Sequence, residues 1–424
     1  MKDPKKRMCN LLPQSRVEIN LNALARNVRR LKAKCALDVA LMAVVKANAY
    51  GHGAVNVSRT ALENGASFLA VARIHEAVEL REAGIDAPIL LFGDVLPCQV
   101  EWLLQNDVRI TVGSLNIAKE ISEVLLCLDR QQTGNFRQST IGQRVKVHVK
   151  VDTGMGRLGF VVPLLSESDS YRTEGENRDF EQRLFDNVVD QIIKITTLEG
   201  IDVEGIYTHF ANADTIDKSH VNEQIKKFNT LVNALSKRGF KPKICHAANS
   251  AAIMDISESH FNMVRAGIAM YGLLPSDEVN QSLVNLEPVM SVRSKIIHLK
   301  DVPSGFKVSY GSTHETPIPT KIATVPIGYA DGYNRLLSSK GEMLIRGRRC
   351  RVAGRVCMDY TMVDVGAVPD VAVGDDVVIM GSQGEDKISA DEIARHISTI
   401  NYEVVCSLSR RMPLFEQSPP NGQL

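Results

Sequence analysis

The sequence is short of the features that assign a function at a glance. No HExxH occurs, and the ten histidines form no group at metal-ligand spacing, which argues against a structural zinc site. The eight cysteines (9, 35, 98, 127, 245, 350, 357 and 406) include no CxxC pair, and without a secretory signal they read as reduced thiols. The opening "MKDPKKRMCN" is basic but is not followed by the apolar stretch of a signal peptide. No window approaches the run of about 18 apolar residues that crosses a bilayer. A charge excess is missing too. Fifty Lys+Arg against 49 Asp+Glu give no electrostatic reason to expect nucleic acid or an anionic membrane as partner. These absences leave a cytoplasmic globular protein whose 424 residues suffice for two or three domains.

What is present is a repeated pattern of a short β-rich run followed by a segment of helical period. Eight runs qualify: "LMAVVKANAYG" (41–51), "SFLAVAR" (67–73), "PILLFG" (88–93), "DVRITVG" (107–113), "VKVHVKVDTG" (145–154), "VEGIYTHFA" (203–211), "KPKICHAANS" (241–250) and "FNMVRAGIAMYG" (261–272). Between them lie amphipathic segments, such as the one placing Ile225, Phe228, Leu231, Val232 and Leu235 on one face. Leu21, Leu24, Val28 and Leu31 form a similar stripe before the first run. The expected fold is α/β, a (β/α)8 barrel over 14–280. A doubly wound sheet is the competing reading, which strand counting does not exclude.

From about residue 281 to 412 short β-rich runs broken by Gly, Pro and Asp predict a separate, mostly β C-terminal domain. "SADEIARHIS" reads as a last helix, with Ser389 or Asp391 as N-cap. Residues 1–13 and 413–424 are expected to be flexible, and 128–144 and 166–183 read as polar surface insertions.

"VDTGMGRLGF" contains Gly154-x-Gly156-x-x-Gly159, on paper a dinucleotide-binding fingerprint. That motif needs a helix opening at the glycines and an acidic residue about 20 positions on. The chain instead continues from Phe160 as "FVVPLLSESDS", with Pro163 close by. The glycines are better read as a tight turn that presents Arg157.

In a barrel, reactive side chains gather at the C-terminal strand ends. That rule selects Lys46 after the first strand, Lys150 and Arg157 after the fifth, His209 after the sixth and Ser250 after the seventh. The eighth supplies Arg265, Gly267 and Ile268. Lys46 has two readings. It is a lysine snorkelling to the rim, or an amine of lowered pKa able to form a Schiff base. The small residues of "ANAYGHG" around Tyr50 favour the second, because they let a cofactor approach the backbone.

"AVVKANAYGHGA" resembles the pyridoxal phosphate (PLP) attachment motif of the alanine racemase family, the fold type III PLP enzymes. "KVDTGMGRLG", "YTHFAN", "HAANSAA", "VRAGIAMYG", "VSYGST", "PIGYADGY", "RVCMDY" and "INYEV" resemble further family segments, in family order, from about residue 14 to 412. The resemblance implies a barrel plus a β-domain, assembled as a homodimer with shared active sites. It implies interconversion of L-alanine and D-alanine, an isomerase reaction that supplies D-alanine for peptidoglycan.

By the same resemblance Lys46 holds PLP and is one catalytic base, and Tyr310 of the partner subunit is the other. Racemisation needs an acid/base group on each face of Cα. His209 and Arg157 form the surroundings of the phenol. Arg265 faces the pyridine nitrogen, where a group that only donates hydrogen bonds leaves that nitrogen unprotonated. Tyr50, Ser250, Tyr402 and the amides of Gly267 and Ile268 hold the phosphate. Arg157 and Met358 take the substrate carboxylate. Lys150 is a candidate for carbamylation, and Tyr329 and Tyr402 narrow the entrance. No metal is implied. The rivals are a broad-specificity racemase for serine or basic amino acids, a PLP-dependent decarboxylase and a non-catalytic PLP carrier. The second is disfavoured by the lack of a GGG phosphate loop, and the third by the retained second domain.

Overall fold

In the computed structural model, residues 13–93, 95–130, 144–165, 176–408 and 411–416 are described. They form two compact units. One comprises Ala25–Ala47 and Val55–Leu286; the other comprises the described residues up to Leu24, Asn48–Ala54 and those from Glu287 on.

The first unit is a closed parallel barrel. Its strands are β1 (Ala40–Val44), β2 (Phe68–Val71), β3 (Ile89–Leu91), β4 (Val108–Val112), β5 (Val145–Asp152), β6 (Ile201–Tyr207), β7 (Ile244–His246) and β8 (Met263–Ala266). Each pairs in parallel with the next, and β8 returns to β1. All eight expected runs are strands, and ring closure decides against the doubly wound sheet. Strands buried on both faces carry near-continuous apolar runs, and β1 follows this rule. β5 divides its labour instead. Val145, Val147, Val149 and Val151 are buried apolar positions, and the alternate His148 and Lys150 are buried polar ones, so this barrel carries polar chemistry in its interior. Among the covering helices, Ser219–Lys237 buries Ile225, Phe228, Leu231 and Leu235, as the periodicity predicts, while Val232 at the edge of that face is half-buried.

In the second unit a seven-stranded sheet runs Arg348–Arg351, Glu342–Ile345, Asp376–Gln383, Met290–Lys295, Arg16–Ile19, Leu414–Glu416, with Asp386–Ile388 paired to Asp376–Gln383. A three-stranded sheet (His298–Val302, Thr320–Val325, Thr361–Asp364) contributes Val302 and Ile322 to a small core with Val308 and Ala353. Helix Ala390–Ile397 is capped by Ser389, whose Oγ accepts from the Glu392 amide at 3.0 Å, so serine and not Asp391 is the cap.

Three features depart from expectation. Leu414–Glu416, expected in a flexible terminus, pair in parallel with Arg16–Ile19, because that strand offers a free edge. A second helix, Asn401–Leu408, follows the capped one and carries Tyr402. Glu176–Thr196 is one helix of 21 residues that takes up the end of the second supposed insertion. The rest of both insertions, residues 131–143 and 166–175, lies outside the described residues, as do 1–12 and 417–424. Among the described residues no helix is long and apolar enough to cross a membrane.

Candidate active site

Lys46 follows β1 directly and opens a short helical turn, Lys46–Gly51. The turn is left-handed: Ala47, Asn48, Ala49 and Tyr50 all have φ between 52° and 54°. Such a conformation disfavours any side chain with a Cβ, and none of these four residues is glycine, so the surroundings must hold the turn in place. The Asn48 side chain accepts from the Ala54 amide at 2.8 Å and closes the turn. Within the same unit the Tyr50 and Tyr402 rings lie 6.1 Å apart. Burial pushes the Tyr50 phenol up.

In the barrel unit, Lys46, Lys150, Arg157 and Arg265 converge on His209. Burial first, then these four positive charges, hold His209 well below the ordinary histidine range, so it is neutral near pH 7. Arg265 is 3% exposed, and its Nη2 donates to the carbonyls of Thr208 (2.9 Å) and Ala247 (2.8 Å) and to His209 Nδ1 (3.1 Å). A guanidinium only donates, so His209 Nδ1 is bare and its proton sits on Nε2. Burial, and less strongly Arg157, bring Arg265 down to about 10, which still leaves it charged at neutral pH.

Lys150 is 4% exposed, and its Nζ donates to the Val151 carbonyl at 2.5 Å. Burial, then Arg265, bring the amine down to about 7. The Tyr207 ring takes both cations on its π system, with Lys150 Nζ at 5.4 Å and the Arg265 guanidinium at 5.5 Å from the centroid.

The Gly154–Gly159 loop resolves the fingerprint question. Asp152 Oδ1 accepts from the amides of Gly154 (2.9 Å), Met155 (2.8 Å) and Gly156 (3.1 Å), and Oδ2 from Arg157 (3.0 Å). The amides that would cradle a dinucleotide phosphate already hold an internal carboxylate. The next element is the short strand Phe160–Val161, not a helix. Gly159 has φ 107°, and a Cβ there would sit 2.5 Å from the Lys150 carbonyl oxygen. The glycines wrap the chain around Asp152 and leave the Arg157 side chain exposed.

After β7 and β8, Ser250 Oγ accepts from the amides of Gly267 (2.9 Å) and Ala269 (3.3 Å). The Gly267 amide, expected to meet a phosphate, is therefore engaged by Ser250. The grouping of Ser250, Gly267 and Ile268 is nonetheless present.

On the C-terminal unit Tyr310 is 71% exposed, Met358 52% and Tyr329 43%. One patch carries all three. Ser309 Oγ donates to the Arg355 carbonyl, and the amides of Tyr329 and Ala330 donate to the carbonyls of Cys357 and Met358. Ser309 and Ser312 flank Tyr310 at φ 65° and 48°, so a strained turn presents the phenol.

Similarity to known proteins gives the family. Residues 19–169 and 183–275 match the model of the alanine racemase N-terminal domain, and 289–415 that of the C-terminal domain. The chain belongs to the alanine racemase family. It is 48% identical over 398 residues to the alanine racemase of Desulfosudis oleivorans, covering 93% of this chain and 95% of the relative. It is 46% identical to that of Methanococcus maripaludis, covering 93% and 96%. The solved alanine racemase of Clostridium difficile 630 superposes with a TM-score of 0.83 at 38% identity, over 96% and 97% of the two chains.

Reading by family segments named the residues at the strand ends and passed over those that hold them. Glu76, Asp152, Glu204, His148 and His246 lie in no segment singled out for chemistry, or lie inside one without comment. A signal was available for His148. "VKVHVK" places a histidine and a lysine two apart, on the same face of a strand whose other face is all valine.

Proposed function

We propose that this chain is a PLP-dependent alanine racemase that interconverts L- and D-alanine by a two-base mechanism. The observation that carries this reading is the convergence of Lys46, Lys150, Arg157 and Arg265 on a neutral His209 at the barrel's C-terminal strand ends. The nearby carboxylate, Asp152, is saturated by backbone amides. Such a site suits a dianionic phosphate and an amino-acid carboxylate. An amine beside an apolar strand, a hydroxyl grouped with backbone amides, and a ring-facing arginine are the donor set that PLP requires. Bound there, PLP supplies the electron sink that acidifies the substrate α-proton.

The protein's own groups then divide the work. Lys46 would hold the cofactor covalently until the substrate amine takes its place, and its freed amine would then carry the proton on one face of Cα. Tyr310 of the partner subunit carries it on the other. Exposure of Tyr310, Met358 and Tyr329 on a single chain supports a homodimer in which one protomer completes the site of its partner. Arg157 and Met358 of the partner subunit bind the substrate carboxylate. Arg265, a pure donor, would face the ring nitrogen of the cofactor and favour its unprotonated form. Ser250, Gly267, Ile268, Tyr50 and Tyr402 are assigned to the phosphate, and Tyr329 and Tyr402 to the entrance.

Lys150 at about 7 has a large neutral fraction at physiological pH. A neutral amine adds to carbon dioxide and releases a proton, giving an anionic carbamate that can hold Arg157 by a charge-assisted hydrogen bond. The free thiols of Cys35, Cys98, Cys127, Cys245, Cys350 and Cys357 support a cytoplasmic location. In a bacterium the D-alanine formed would enter peptidoglycan.

A racemisation panel over alanine, serine, lysine, arginine and glutamate with added PLP tests the reading. Alanine should turn over fastest, and borohydride should fix the cofactor on Lys46. Turnover of serine or a basic amino acid above alanine would replace it with a broad-specificity racemase. Absence of the Lys46 adduct would remove the PLP chemistry altogether.

A further inference from the structure

Behind Arg265 a line of side chains, buried at His246 and His148, runs through the barrel interior to the half-buried Glu204. Arg265 Nη1 donates to His246 Nδ1 at 3.0 Å. The other nitrogen of that ring, Nε2, lies 2.9 Å from His148 Nδ1. His148 Nε2 in turn lies 3.2 Å from Glu204 Oε2. The same oxygen accepts from Arg109 Nε at 3.1 Å, and Arg109 Nη1 is itself anchored on the Asp107 carboxylate at 2.7 Å.

The two ends dictate the polarity of everything between them. Arg265 cannot accept, so His246 Nδ1 is bare and its proton is on Nε2. That proton points at His148 Nδ1, which must be bare as well. His148 then carries its proton on Nε2 and donates it to a carboxylate that cannot donate back. Every link has one sense, from Arg265 towards Glu204, and both histidines are the same neutral tautomer. A second proton on His246 would set two donors face to face.

The fold makes room for this line. A Cβ at Gly205 would sit 2.8 Å from the His148 ring, so only glycine fits beside it. The β5–β6 register shifts at Val147/His148. His246 stacks on Tyr207 with centroids 4.6 Å apart and planes 9° apart, and the Tyr207 hydroxyl is tied to Thr111 at 2.9 Å. His148 and His246 are both fully buried, out of reach of bulk water. A buried network of this kind is strong when every member is satisfied and costly when one is not.

We propose that Glu204 is a positioning residue for Arg265, and that it acts by fixing the tautomers of His148 and His246 so that Arg265 meets only an acceptor on its inner side. This rests on the racemase reading, in which Arg265 faces the cofactor ring. Glu204→Gln is the informative change, because its amide can donate to His148 Nε2. The line can then reverse, and His246 would turn an N–H on Arg265. His148→Gln should preserve the sense, since its amide can donate to Glu204 while its oxygen accepts from His246. Loss of packing alone would not rank the two variants in this order.

Histidine ring-nitrogen NMR on isotope-labelled protein reads the tautomers directly. Wild type should show His148 and His246 protonated at Nε2 alone, and Glu204→Gln should move protonation to Nδ1. In the holoenzyme, Glu204→Gln should lower kcat about tenfold or more, in the range of other outer hydrogen-bond partners. KM should change little, and the transamination side reaction should increase. Glu204→Asp should restore the wild-type tautomers, and His148→Gln should retain more activity than Glu204→Gln. Unaltered tautomers in Glu204→Gln, or altered tautomers with unaltered kcat and side reaction, would overturn the proposal. So would a Glu204→Gln protein that fails to fold beside a His148→Gln protein as impaired as a His148→Leu one. A wild type with the stated tautomers and no racemisation would overturn the racemase reading instead.

Discussion

Glu76 Oε1 accepts a hydrogen bond from the Ala47 amide at 2.5 Å, so a buried carboxylate holds the peptide that follows Lys46. Its Oε2 accepts from the amides of Ala72 (2.7 Å) and Arg73 (2.9 Å). Left-handed residues other than glycine cost about 1–2 kcal/mol each, and four stand in a row here. The turn therefore needs anchors outside itself, and Glu76 is one. Glu76→Gln sets an amide N–H2 against one of these donors. It should lower unfolding free energy by about 1–3 kcal/mol, read by urea denaturation of the holoenzyme. The fraction of chains with cofactor fixed on Lys46 by borohydride should fall with it. Unchanged stability and loading would show that the turn stands without Glu76.

Asp152 organises the loop that carries Arg157. Burial opposes its ionisation, but hydrogen bonds from Gly154, Gly156 and Met155 outweigh it and hold the carboxyl below the usual range. Its contribution to stability is complete above the unfolded value of about 3.9 and is lost as pH falls through the lower folded value. Asp152→Ala leaves four amides without their acceptor. KM for alanine should rise about tenfold or more with a smaller loss in kcat, as expected when a binding group is misplaced. A fall in kcat with KM unchanged would separate Arg157 from substrate binding.

The lowered pKa of Lys150 predicts sensitivity to pH and, through the proposed carbamate, to carbon dioxide. Its folded value, about 7, lies below the unfolded value of about 10.4. Between the two the unfolded chain binds more protons, so without the carbamate stability should rise with pH across that window. Lys150→Met should flatten the rise in buffer stripped of carbon dioxide. With isotope-labelled bicarbonate, a carbamate NMR signal should grow as pH climbs through 7 and vanish in acid. Its absence in a well-folded holoenzyme would rule the modification out.

The proposed sharing of active sites between subunits makes a sharp prediction for mixed dimers. Lys46→Ala and Tyr310→Phe proteins should each lose about 100-fold or more in kcat. If the partner's Tyr310 completes each site, a hybrid dimer contains one site with both defects and one with neither. Refolding the two proteins together should restore activity that neither shows alone. Failure to restore it, with hybrid dimers confirmed by mass, would place both bases on one chain.

Much of the architecture was legible along the chain. The eight barrel strands sit where β-rich runs alternate with helical periods, because each strand is buried by its own composition. The helix at Ser219–Lys237 comes from one apolar stripe, and Ser389 from local capping chemistry. Other elements were not legible. Leu414–Glu416 exists because Arg16–Ile19, nearly 400 residues earlier, offers it an edge. The Asn401–Leu408 helix has a weak apolar face and draws its order from packing.

The sequence by itself supplied the candidate reactive groups, the lysines, tyrosine and arginines, whose protonation the fold then shifts, as burial does for Lys150. It also determined the family, through segments that stay in order along the chain. Only the tertiary structure decided which atoms hold those groups in place. The glycine loop closes on Asp152, the Lys46 turn leans on Glu76, and Arg265 is aimed by a line ending at Glu204. Hydrogen-bond polarity depends on what stands at both ends of a contact, and those ends lie on strands far apart in sequence.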